Sequence, residues 1–257
     1  MTSFAADFAV PQAIMADVTK RPLLQRRGRG LDTGKCYCHP VRMIRYLGAW
    51  RSLPRRQLIA LLVLALAVLL ANVRQPFPEI APLQHLPTVL LIVAAPPLLA
   101  RWPLSNRAVG SLLLFWLLHT LGGRYTYSNV PYHEWAQSLT GDNISGTFGQ
   151  ARNGYDRLVH LAFGLLWVPP FAEAMRRHAG MGWRASLWTA FMFIGAVSAL
   201  YEIFEWLLTI VVAPGMADDY NGQQGDAWDA QKDMAIALAG AGIAAAWQML
   251  IARSPRD

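Results

Sequence analysis

An aspartate and a histidine four residues apart, Asp156 and His160, share one face of any helix that carries them. Glu202 and Glu205 share a face in the same way, and Asp226, Asp229 and Asp233 recur at helical intervals further on. His119 closes an apolar run upstream of all of them. Histidines among carboxylates make a donor set for a divalent cation. Oxygen-rich ligation suits Mg²⁺ or Mn²⁺, and imidazole admits Zn²⁺. The candidate ligands are His119, Asp156, His160, Glu202, Asp229 and Asp233. A cation held there activates water or polarises a phosphoryl or carbonyl group. Without one, Glu202 and Glu205 beside His160 can serve as general acid and base, so these three are the candidate catalytic residues.

Each of these groups also has a purely structural use. Asp156, and Asp226 or Asp229, can stabilise a helix N-terminus through its dipole and free N–H groups. The glutamates can pair with Arg124, Arg152 or Arg157, and His160 can hold two helices in register by bonding a glutamate. The aromatic stretch at 125–136 (YTYSNVPYHEWA) reads first as an interfacial belt and second as a lip over the site. The loop at 217–226 (ADDYNGQQGD) has the composition of a Ca²⁺ loop without EF-hand spacing. Cys36 and Cys38 are too close in sequence to suggest a disulfide, and with His39 they form only half of a soft-metal site.

The elements that position these residues are apolar and long. Hydrophobic residues make up 54% of the 257 and charged residues 15%, against about 25% charged in a soluble domain. Six apolar segments follow one another: Gln57–Val73, Ile80–Ala100, Ala108–Gly123, Asp156–Met175, Ala185–Ala213 and Asp233–Ala252. A bilayer span needs about 20 such residues. The expected fold is therefore all-α, a polytopic bundle of six transmembrane helices occupying 57–252. Pro82, Pro87, Pro96 and Pro97 make the second segment the weakest helix. Pro169 and Pro170 are expected to kink the fourth. Gly240 and the alanines around it, Ala237, Ala241, Ala244 and Ala245, give the sixth a small-residue face for close packing.

Residues 1–56 form a basic extension with little expected packing, in which Met43 is an alternative start, and 253–257 form a short tail. The first apolar run lacks a clear cleavage pattern and reads as a retained anchor. The net charge of +7 does not point to nucleic acid, because the basic residues are spread over loops and chain ends. If the N-terminus is cytoplasmic, 18 of the 23 lysines and arginines fall inside and 5 outside. That asymmetry places both termini inside and the polar helix ends outside. Counted from Ala185, Glu202 lies roughly 25 Å along its helix, in the outer part of a hydrocarbon layer about 30 Å thick. Carboxylates there need a proton, a partner or a cation.

Four ordered motifs, HTLGGRYTYSNVPY (119–132), DRLVH (156–160), YEIFEW (201–206) and GQQGDAWDAQKDM (222–234), together resemble the YjdF-like family of bacterial inner-membrane proteins. The likeness covers most of 57–252 and implies a multi-pass fold in the inner membrane without specifying a reaction. A more distant likeness is to VanZ-like membrane proteins, with Asp156, His160, Glu202 and Asp229 or Asp233 in the places of that pattern. Glu205 departs from it, standing where the pattern tends to show glutamine. That likeness implies a role in the cell envelope. Three functions follow as expectations: an enzyme or sensor of envelope lipids or lipid-linked intermediates, a small-solute or proton-coupled transporter, and a non-catalytic scaffold. The partners expected are the lipid bilayer and a lipid or lipid-linked ligand.

Overall fold

The computed structural model describes residues 46–141, 152–211 and 224–253. All regular structure among them is helical. In chain order the helices are α1 (Tyr46–Ser52), α2 (Arg55–Ala71), α3 (Ala81–Arg101), α4 (Asn106–Arg124), α5 (Tyr132–Thr140), α6 (Tyr155–His178), α7 (Trp183–Val211) and α8 (Asp229–Arg253). Each of the six apolar segments has become a helix. Four helices, α3, α6, α7 and α8, contain stretches long and apolar enough to cross a bilayer. At 17 residues, α2 is slightly short by itself, and α1 leaves it at a bend of 116°.

The prolines did not break the second segment. α3 runs without interruption, with Pro82 in its first turn, where no intrahelical N–H is needed, and Pro87, Pro96 and Pro97 inside. α6 likewise stays one helix through Pro169 and Pro170. The expectation of little packing as far as residue 56 needs correcting at its end. Trp50 and Leu53 pack with Leu61, Ala95 and Leu99, and the Tyr46 hydroxyl donates to the Val93 carbonyl at 2.9 Å. The rest of that extension, residues 1–45, lies outside the described residues.

At the centre of the bundle is α6. It packs against α4, α7 and α8, while α2 and α3 pack on α4 and on each other. The crossing of α6 with α8 is made by small residues. A Cβ added to Gly164 would lie 2.0 Å from the Ala237 carbonyl oxygen, and one on Gly240 2.5 Å from that of Leu161. Only glycine allows two backbones to approach so closely. Ala237 and Ala241 are fully buried there, so the small-residue face lies in the core as expected. At the end of the bundle that carries Arg101, Arg176 and Arg177, α4 is tied to α6. The Glu173 carboxylate accepts from the Ser105 N–H and hydroxyl at 2.6 Å, and Ser105 caps α4 by accepting from the Ala108 N–H. Large apolar side chains point outward all round, among them Leu66, Leu69, Leu90, Leu200, Trp206 and Trp247. A soluble protein would bury such a surface; in a bilayer it is the proper exterior.

Candidate functional site

The polar residues gather at the other end of the bundle, where α6 and α8 begin. Asp156 and His160 are one turn apart on α6, and Asp233 faces them from α8. One donor atom from each of these three lies within 4.8 Å of the other two. His160 Nε2 is 3.6 Å from an oxygen of Asp156 and 3.6 Å from Glu202 Oε1 on α7. Those separations are too long for hydrogen bonds. They are close to the roughly 3.0–3.5 Å between neighbouring ligands around a cation bound at about 2.1 Å. His160 and Asp233 are buried; Asp233 Oδ1 is 4.0 Å from Arg157 Nε, and neither it nor Glu202 Oε1 has a hydrogen-bond partner among the described residues. Buried carboxylate oxygens left this way call for a proton, a water or a metal ion.

Other expected site residues are engaged elsewhere. Asp229 is held by Arg152 through both of its oxygens, and Arg157 adds a contact at 3.3 Å. Arg157 also pairs with Asp226 at 2.7 Å, and Lys232 bonds both oxygens of Asp226. Asp229 is thus a structural ion-pair residue in this arrangement and does not join the donor cluster. Burial disfavours the charge on Arg152, but the hydrogen bond and field of Asp229 outweigh it and raise its pKa. Bonds from Lys232, from the Trp228 N–H and from Arg157 hold the Asp226 carboxyl down at about 2. The arginines serve the aspartates, and neither glutamate forms an ion pair with one among the described residues. Arg124 has a different use: it donates to the carbonyls of Ala71 and Val73, closing the C-terminal end of α2.

His119 also falls outside the donor cluster. Its Nε2 donates to the Gln84 carbonyl at 3.2 Å, and its Nδ1 accepts from the Tyr127 hydroxyl. Both ring nitrogens are used, which leaves no lone pair for a metal. The chain places Tyr127 there by an unusual turn: Thr126 and Tyr127 both adopt positive φ, 50° and 56°. The ring then lies where a side chain on Gly122 would be, 2.6 Å from its missing Cβ. Glu205 lies one turn beyond Tyr201 and bonds its hydroxyl. Asp156 does not cap its helix; Gly154 takes that position.

Below the cluster lies a cavity of 380 Å³. Asp156, His160, His119, Tyr127 and Tyr201 line it with Ser198 and a set of large apolar rings: Phe115, Trp116, Phe163, Trp167, Phe193 and Phe204. Sequence reading missed this cavity. Its walls come from four helices whose aromatic residues have no distinctive spacing on any one of them. Residues 142–151 and 212–223, which include most of the Gly/Asp/Gln loop, lie outside the described residues.

A helical bundle with an apolar exterior and a buried polar end is a polytopic membrane protein. Its family can be stated: the model for the predicted membrane proteins DUF2238 matches residues 57–254, and the chain belongs to that family. It is also 34% identical over 158 residues to the inner membrane protein YjdF of Escherichia coli (strain K12), a match covering 60% of this chain and 70% of that protein. The chain is accordingly a multi-pass protein of the bacterial inner membrane. No solved structure gives a significant match. The likeness to VanZ-like proteins stays one of sequence pattern.

Proposed function

We propose that this protein binds a divalent cation through Asp156, His160 and Asp233 and uses it, as an enzyme or sensor, on the polar end of an envelope lipid or lipid-linked intermediate. The observation that carries this reading is the convergence of three donors, two of which, Asp156 and His160, also line an aromatic-walled cavity. Glu202 stands beside the donors with an unpartnered oxygen, in place to complete the coordination or to handle a proton. Bound there, a cation supplies Lewis-acid polarisation of a phosphoryl or carbonyl oxygen, or an activated water. An apolar chamber lined by two of the donors favours an amphipathic ligand over a small hydrated solute.

The reading includes a topology of six spans, with α2 and α4 crossing alongside the other four. The arginine-rich end and both termini face the cytoplasm, and the donor cluster faces outward. Metal analysis of the full chain, purified in detergent without chelator, tests the cation. Asp156→Asn, His160→Ala and Asp233→Asn should each lower bound Mg²⁺, Mn²⁺ or Zn²⁺, while Gln84→Ala, away from the donors, should not. Folded wild-type protein that takes up none of the three ions would end this reading.

A further inference from the structure

We propose that the aromatic cavity is a lipid-chain site opening sideways into the bilayer between α3 and α7, and that its occupant is one acyl chain of an ester-linked membrane lipid. The proposal rests on the lipid reading above and names the ligand class and its route. α4 and α7 both pack on α6 with at most marginal contact between them, so the cavity is a wedge with α6 at its back. α3 reaches the cavity only through Pro87; it packs on α2 and α4 and leaves the front toward α7 open. Phe204 stands at that front, lining the cavity while 47% exposed on the outer face of the bundle.

The dimensions match a single chain. Along α6 the lining runs from Asp156 to Trp167, and along antiparallel α7 from Phe204 back to Phe193. Each stretch covers roughly 17 Å of helix axis. Half of a 30 Å hydrocarbon layer is about 15 Å, so the wedge is as deep as one leaflet. A lipid with its head at Asp156 and His160 would place its chain end near Trp167 and Phe193, at the bilayer midplane. The cavity of 380 Å³ lies at the small end of the range for ligand pockets, which leaves a second acyl chain outside, in the bilayer.

An ester is the linkage that the polar groups in the wall can use. Ser198 lies one turn below Glu202 on α7, is 2% exposed and lines the cavity, and its hydroxyl has no hydrogen-bond partner among the described residues. The indole N–H of Trp116, also in the lining and one turn below His119, has no partner among the described residues either. Buried donors of this kind need an acceptor. An ester carbonyl lies just beneath a lipid headgroup, level with Ser198, and a purely hydrocarbon prenyl tail offers no acceptor there.

Photolabelling tests the proposal. The full chain is reconstituted in vesicles of phosphatidylethanolamine and phosphatidylglycerol containing a trace of phosphatidylglycerol with a diazirine at the acyl end. Irradiation should label peptides containing Trp167 and Phe193. Val197→Trp, which fills the wedge, should reduce that label about tenfold, whereas Leu200→Trp on the outward face of the same helix should leave it unchanged. Ser198→Ala, which changes little in the fold, should reduce it roughly fivefold. Wild-type labelling in Val197→Trp or in Ser198→Ala, or label confined to outward-facing residues, would overturn the proposal. Preferential labelling of the cavity by a diazirine prenyl phosphate would overturn the ester assignment. Metal content is measured on the same samples. Bound cation without cavity label defeats the chain site alone, and cavity label without cation defeats the cation reading alone.

Discussion

Gly164→Ala is the smallest change that attacks both the fold and the site. The added methyl would meet the Ala237 carbonyl oxygen at 2.0 Å and the Ala241 nitrogen at 2.5 Å. Both are backbone atoms of α8, so no rotamer change can clear them. To reach ordinary contact near 3.4 Å, α6 and α8 must move apart by about 1.4 Å. A gap of that size forfeits more than half of the dispersion energy of each atom pair across the crossing. Overpacking of this kind costs about 1–3 kcal/mol and sometimes more, after which alanine returns up to about 1 kcal/mol in helix propensity. Because the clash is with backbone atoms, the upper end of that cost applies, and a net loss of roughly 2 kcal/mol is expected. Two sister substitutions fix the scale. Gly195→Ala meets only the end of the Leu238 side chain at 3.1 Å and should be near neutral. Gly110→Ala meets nothing within 4 Å and should gain up to about 1 kcal/mol. Thermal unfolding of the full chain in detergent, followed by tryptophan fluorescence, should rank the three variants in that order. Gly164→Ala as stable as wild type, or more stable than Gly195→Ala, would refute the close crossing.

The ion pair at the start of α8 predicts a large single and a small double effect. Arg152→Met leaves Asp229 buried without its main partner and should cost about 3–5 kcal/mol, while Arg152→Met with Asp229→Leu should recover most of it in the same melting assay. Topology is tested by reporter fusions: those at Asn143 and Gly222 should report outside and one after Arg253 inside, and an outside signal after Arg253 would sink the six-span arrangement. Asp226 carries a pH prediction. Its depressed pKa means that its contribution is complete above the unfolded value of 3.8 and is lost as pH falls toward about 2. Asp226→Asn should therefore lower the melting temperature near pH 7, where that contribution is complete, and converge on the wild type as pH falls toward about 2.

What the sequence makes legible here is whatever depends on local spacing. Asp156 and His160 fall on one face because a helix repeats every 3.6 residues, and the glycine and alanines of α8 announce a close crossing for the same reason. Partner choice between distant segments was not legible. Arg152 precedes α6 in a loop, and nothing in its surroundings says that it will reach Asp229, 77 residues away. His119 looked like a ligand because its neighbours in sequence are apolar. Its partners are a carbonyl of α3 and a tyrosine brought back by two residues with positive φ, a conformation that threonine and tyrosine rarely adopt. The cavity escaped notice for a similar reason. Helix patterns report which faces are apolar, and not where two apolar faces fail to meet.

The position of the donor cluster follows from the crossing beneath it. His160 lies one turn above Gly164 on α6, and Asp233 two turns above Gly240 on α8. Where two backbones touch, the side chains one or two turns beyond are still near one another, so short residues such as aspartate can converge from both helices. Had larger residues formed the crossing, α6 and α8 would stand at the usual 8–10 Å, and three donor atoms within 4.8 Å would need longer side chains. The opposite holds on the other side of α6. There α4 and α7 diverge, and the rings of Phe115, Trp116, Phe163 and Trp167 line the cavity between them. Small residues on one side of α6 and aromatic residues on the other thus divide the work. One side brings the charged groups together, and the other lines an apolar chamber beside them.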